Sequence, residues 1–149
     1  MNDLDELISW AGALLQKLDT RQRRALLRAV ATELRRRQAA RIGEQRNPDG
    51  SAYEPRKPQL TKKPGRLRRA MFARLRMART LKARSDAGSA VVAFAGYAGK
   101  IAAVHQFGLR DRVNRKGNLE VEYARRELLG FAEGDVERLA NIVLSQIAA

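Results

Sequence analysis

All four prolines of this 149-residue chain fall between positions 48 and 64: Pro48, Pro55, Pro58 and Pro64. Proline has no N–H to give to a ladder, and it drives the residue before it to extended backbone. No helix or central strand can therefore run through this stretch. The chain divides into a part before Gly43, a loop of about 22 residues to Gly65, and a part beyond. Within the loop, Asn47-Pro48-Asp49-Gly50 reads as a β-turn, with Asn first, Pro second with its φ preset, and Gly fourth. Loops this long inside a small domain are usually functional or disordered. The stretch 43–65 is accordingly expected to be a basic arm, mobile alone and ordered against a partner.

Ahead of the loop the periodicity is helical. Leu4, Leu7, Ile8, Ala11, Leu14, Leu15 and Leu18 recur at spacings of three and four, one face of a helix over 3–18, with Trp10 at its edge. Asp3 with Glu6 has capping-box spacing. Asp19 with Gln22 repeats it and starts a second helix through Leu26, Leu27, Val30, Ala31 and Leu34, which Gly43 stops. So short a break between them predicts an antiparallel helical hairpin.

Beyond the loop, Leu67, Met71 and Leu75 share a helical face, so a short arginine-rich helix is expected over 66–76. Thr80–Ser85 alternates, Asp86-Ala87-Gly88 turns, and Ser89–Phe94 is apolar with β-branched Val91 and Val92, which together predict a hairpin. A small helix is read over Ala98–Phe107, closed by Gly108, with Ile101 and Val104 inward. Arg110–Tyr123 follows as a second hairpin or extended arm, with its turn at Asn114–Asn118. The last helix starts near Asp135, with stripe Val136, Leu139, Ala140, Val143 and Ile147; Ile142 and Leu144 widen that stripe and predict burial on more than one side. Strands clustered between helices, without strand–helix–strand alternation, indicate one α+β domain over 1–149, a helical hairpin and C-terminal helix on a small antiparallel sheet.

Chemistry is sparse. There is no cysteine and one histidine, His105. A Ser-His-acid triad would have to be built on that residue, and no Gly-x-Ser-x-Gly elbow or phosphate loop is present. His105 reads as a structural residue hydrogen-bonded to backbone. Acidic groups gather in helix first turns, where the helix dipole accounts for them. No enzymatic activity, metal or cofactor is expected. The N-terminus lacks a signal-peptide pattern, and no apolar run approaches the roughly 20 residues of a membrane span, so neither membrane nor export is implied.

Charge is the other strong signal. Residues 35–84 hold seventeen Lys/Arg against three Asp/Glu, a net of +14, while the rest of the chain balances 13 basic against 13 acidic groups. Arginine-rich helix faces are often only solvated surface. A one-signed, concentrated excess is also the footprint of contact with phosphate or an acidic protein. Without a helix-turn-helix, zinc finger or aromatic stacking set, any nucleic-acid contact would be with backbone and independent of sequence.

Three stretches in order resemble the phage virion morphogenesis (tail completion) family of contractile-tailed phages and phage-derived tail particles. They are Arg41-Ile42 with Gln45-Arg46-Asn47-Pro48-Asp49-Gly50-Ser51, Tyr53 and Pro55-Arg56-Lys57; Ile101–Gly108; and Tyr123–Phe131. The chain departs from the family pattern at Ala124-Arg125, where a proline commonly precedes the Arg-Glu-Leu-Leu-Gly run. The resemblance implies a structural protein with a fold similar to tail terminator and neck proteins. It implies a ring, a homo-hexamer matching the tube, that caps the head-proximal end of the tail and prepares it for head joining. Implied partners are further copies of itself, tail tube and sheath proteins, neck or connector proteins, and non-specifically DNA in the channel. Assembly would take place in the bacterial cytoplasm, and the product would sit in the virion or tail particle. A DNA-backbone-binding protein and an assembly chaperone absent from the finished particle are the alternatives. Candidate arm contacts are Asn47, Pro48, Asp49, Gly50, Tyr53, Pro55 and Arg56. Candidate contacts to a lumen or anionic partner are Arg66, Arg68, Arg69, Arg74 and Arg76. A second arm carries Arg112, Arg115 and Lys116.

Overall fold

The second capping pair closes as its spacing dictates. In the computed structural model, which describes residues 3–56, 70–112 and 117–148, Asp19 Oδ1 accepts the Gln22 N–H at 2.8 Å. The Gln22 side chain accepts the Asp19 N–H at 3.0 Å, completing the box. This starts α2 (Thr20–Gly43), the longest element. Before it, α1 (Asp3–Leu15) stops three residues short of the expected Leu18, because the chain tightens into i→i+3 bonds from Lys17 N to Leu14 O and from Leu18 N to Leu15 O. The Arg23 guanidinium covers that end, donating Nε–H to the carbonyls of Leu15 and Leu18.

Next to α2 lies a hairpin of β1 (Leu81–Ser85) and β2 (Ala90–Phe94), antiparallel with Leu81 opposite Phe94 and Ser85 opposite Ala90. Its turn is fixed by Asp86, whose Oδ1 accepts the N–H groups of Gly88 and Ser89. Arg35 Nε donates to Leu81 O at 2.6 Å and ties the hairpin to the helix. Then come α3 (Tyr97–Phe107), ended by Gly108 in the left-handed region at φ 64°, and a second ribbon of β3 (Arg110–Arg112) and β4 (Glu120–Glu122). α4 (Asp135–Ala148) closes the chain against α1 and α2. Four helices and two small antiparallel sheets make the class α+β, as the sequence predicts.

Two apolar clusters hold these elements. Leu26, Ile142 and Val143 join the hairpin of helices to α4, with Leu14, Leu15, Leu18 and Ile147 packed around them. Ile42, Tyr53, Ala102 and Leu128 join the end of α2 to the loop, to α3 and to the chain before α4. Leu26, Ile42, Leu81 and Leu128 are fully buried, each contributing about 1.5–3 kcal/mol of transfer free energy.

Three expectations are corrected. Residues 70–79 form successive turns and not the second half of a helix; residues 66–69 lie outside the described chain. Phe72 sits at φ 65°, which no helix interior accommodates. Ile101 faces solvent while Val104 is buried. Leu144 is likewise exposed, so α4 buries one face, along Leu139, Ile142 and Val143. No helix among the described residues is long and apolar enough to cross a membrane.

Candidate assembly site around the Asn-Pro-Asp-Gly turn

The turn itself is conventional in its bonds. Gly50 N–H reaches Asn47 O at 2.9 Å, Asn47 N–H reaches Ser51 O at 2.8 Å, and Gly50 takes the φ of 90° that a side chain would resist. Asp49 accepts both the hydroxyl and the N–H of Ser51. These bonds, the hydroxyl's first, hold its carboxyl below the usual carboxylate range. Arg46 Nη1 donates to Gly50 O and closes the loop from the other side.

What the turn is attached to is less expected. Residues 126–128 have no regular structure and 129–130 form a bend, with no strand paired to them, so their backbone groups need other partners. Side chains supply nearly all of them. Glu127 N–H donates to Asn47 Oδ1 at 2.9 Å. Glu127 O accepts from the Tyr53 hydroxyl at 2.9 Å and from Arg41 Nη1 at 3.2 Å. Leu128 O accepts from Arg41 Nη2 at 2.9 Å. Gln106 Oε1 takes both the Leu128 and Leu129 N–H groups, and its Nε2 donates to Leu129 O. Gly130 N–H donates to Gln38 Oε1, while Arg126 N–H donates to His105 O. In return, the Arg126 guanidinium donates to the carbonyls of Glu54 and Pro55.

The three stretches that carried the family resemblance thus meet in one place. Arg41, Asn47 and Tyr53 come from the first, His105 and Gln106 from the second, and 126–130 is the third. Gln38 and Arg41 are buried at 2% and 7% exposure; the two terminal nitrogens of Arg41 are bonded, while its Nε has no partner among the described residues. Pro48 lies directly on Gly130: a Cβ there would stand 2.5 Å from Pro48 Cγ. Of the stretch read as an arm, residues 45–56 are bonded into this network, and 57–65 lie outside the described residues.

Gln45 is a member that sequence reasoning passed over. Its backbone takes φ 60°, and its side chain accepts Met71 N–H and donates to Met71 O, both at 2.9 Å. It mimics a strand partner for Met71, and the only sequence signal for it is its place two residues before the turn. His105 is corrected as well. Its ring stacks edge-on between Phe72 and Tyr123, at centroid distances of 4.9 and 5.0 Å, and Nδ1 has no partner among the described residues. Burial, helped by the nearby Arg126 charge, pushes its pKa down to about 4, so the ring is neutral near pH 7. Burial also raises the Tyr53 hydroxyl, outweighing Arg41.

The exposed part of the site is narrower than the motif. Asp49, Gly50, Ser51, Ala52 and Glu54–Arg56 face solvent, whereas Asn47 and Pro48 are half-buried and Tyr53 is buried. Beside the turn runs an open groove of about 330 Å³ between α2 and the start of α4, lined by Arg36, Arg37, Glu44, Arg46, Pro48 and Glu133 among others. Arg37 pairs across it with buried Asp135. Among the other candidate contacts, Arg74 is exposed, and Arg76 leans over Gly43 and donates to Ala39 O at 3.4 Å. Arg112 is exposed on β3 opposite Glu120. Arg66, Arg68, Arg69, Arg115 and Lys116 lie outside the described residues.

Comparison with known proteins gives two results. The profile of the phage virion morphogenesis family matches residues 2–148. Tail completion protein S of Escherichia phage P2 is 38% identical over 149 residues, covering 99% of each chain. No solved structure matches.

Proposed function

The chain belongs to the phage virion morphogenesis family, and from that premise we propose that it is a structural protein that completes the phage tail. It assembles in the host cytoplasm as a ring of identical copies, six to match the tail tube. The ring caps the head-proximal end of the tube and presents it to the neck proteins. The observation that carries this reading is the likeness to a tail completion protein along the full length of both chains.

Two features of the molecule suit such a role. The network at 126–130 spends its polar side chains on backbone groups, as a rigid platform requires and a catalytic centre does not. The platform carries a solvent-facing tip, Asp49–Ala52 and Glu54–Arg56, for a neighbour or the tube rim. The β3–β4 ribbon is the second candidate contact. A two-stranded ribbon is marginal by itself, and here Leu109, Leu119 and Phe107 stand exposed around it. Packing against an adjacent subunit would cover them.

The test is electron microscopy of particles made with and without the chain. Tails lacking it are expected to fail in head joining or to end irregularly, and particles containing it to show a ring at the head-proximal end. Normal tails that join heads in its absence would refute the proposal. Mass spectrometry of purified particles separates a resident ring from a chaperone that leaves.

A further inference from the structure

A second charged surface lies away from the turn, on the first half of α2. Arg21, Arg24 and Arg28 stand at i, i+3 and i+7, so they form one row along the helix, and all three are exposed. Arg35 continues the row two turns later and is engaged, bonding Leu81 O of β1 and the carbonyl of Arg76. The guanidinium groups of the first three make no such bond: among the described residues none donates a hydrogen bond or joins an ion pair, those pairs being made by Arg36, Arg37, Arg125 and Arg138. Arg23, in the same turn, is by contrast bonded through its Nε to the end of α1.

The position is electrostatically adverse. Arg21 and Arg23 occupy the first turn of α2, with Arg24 next after it; that turn contains no acidic residue, so cations face the positive end of the helix dipole. A row whose first member faces the positive end of its own helix, and whose guanidinium groups find no hydrogen-bond or ion-pair partner among the described residues, is not explained by folding. The nearby carboxylates do not relieve it. Asp19 is closed on the Gln22 N–H. Asp86 is held ionised mainly by the Gly88 and Ser89 bonds and only lastly by the field of Arg24. Arg35 meets Leu81, and β1 packs along α2, presenting exposed Lys82 and Arg84 on the face opposite buried Leu81.

We infer that Arg21, Arg24 and Arg28 of α2, with Lys82 and Arg84 of β1, form a binding face for the phosphate backbone of duplex DNA. Protein interfaces carry aromatic and apolar anchors at a core depleted of charge. This strip offers five cations and no aromatic side chain. A duplex presents about one phosphate charge per 1.7 Å of axis, roughly six along the rise from Arg21 to Arg28, which such a row can meet without reading bases. The inference is independent of the ring: it concerns what the face binds, whichever assembly displays it.

The experiment is fluorescence anisotropy with a labelled duplex of about 20 base pairs between 50 and 200 mM salt. Each lost phosphate contact flattens the slope of log affinity against log salt by about 0.9. Arg21→Gln/Arg24→Gln/Arg28→Gln is expected to flatten it by about 2.7, and Lys82→Gln/Arg84→Gln by about 1.8. Lys100→Gln/Arg110→Gln/Arg112→Gln removes the same charge as the arginine triple from α3 and β3, and is expected to change it by less than about 1. The arginine triple should melt no lower than the parent, because it relieves the dipole repulsion. Equal flattening by both triples, or none by the α2 triple and the β1 double, overturns the inference. So does polyglutamate binding that the α2 triple weakens more than DNA binding, which would assign the face to an acidic protein.

Discussion

At the scale of single residues, this fold depends on side chains that stand in for missing backbone partners. Gln106 serves three backbone groups of Leu128 and Leu129, and Arg41 serves three carbonyls. Gly130 shows how tightly the result closes. Gly130→Ala places a methyl group against Pro48 Cγ, and overpacking of this kind costs about 1–3 kcal/mol. The expected outcome is a lowered urea midpoint that Pro48→Ala partly restores in a double-mutant cycle; additive effects would mean that the two residues do not touch. His105 gives a second test at this scale. Its pKa falls from 6.5 to about 4 on folding, so between those values the unfolded chain binds more protons than the folded one. Stability must then fall as pH drops from about 6.5 to about 4 and level off below. His105→Leu removes that component, and the wild-type minus variant difference in unfolding free energy should track pH across this window and nowhere else above it.

Among the elements, legibility followed how local the cause was. α2 was readable at both ends because the Asp19–Gln22 box and Gly43 act within a few residues. The β1–β2 hairpin was readable because Asp86 closes its own turn. The stretch 70–79 was not. Its Leu/Met spacing looks helical, but the Met71 N–H and C=O that a helix would use are both taken by Gln45, 26 residues earlier in sequence. The network at 126–130 was hidden for the same reason: the three motifs could be recognised singly, while their meeting is a tertiary fact. The first helix adds a testable consequence. α1 has the amphipathic pattern of a core helix yet no buried residue, and only Leu14 and Leu15 in its last turn join the cluster around Leu26. Few buried contacts mean a low free energy of local opening. Hydrogen exchange should therefore release the α1 amides well before those of α2 between Leu26 and Ile42. Equal protection of the two helices would show that α1 is held by contacts beyond these.

For the whole molecule, the decisive quantity is a net charge of +14, all of it from residues 35–84. Copies of such a chain repel one another when brought into a ring, and the repulsion is long-ranged at low salt, where the Debye length reaches about 30 Å at 0.01 M. Screening removes that penalty while leaving apolar contacts such as Leu109 and Leu119 in place. Self-association of the purified chain should therefore strengthen as salt rises from about 0.01 M to 0.5 M, seen as growing mass in sedimentation velocity. Binding to DNA must move the other way, because salt competes for the phosphates. The proposed ring formation and the inferred phosphate contact are thus separable by the sign of one variable. Association that weakens with salt would mean that the copies meet through opposite charges, with the acidic first turn of α1 (Asp3, Asp5 and Glu6) as the complement to the basic middle and not the apolar ribbon.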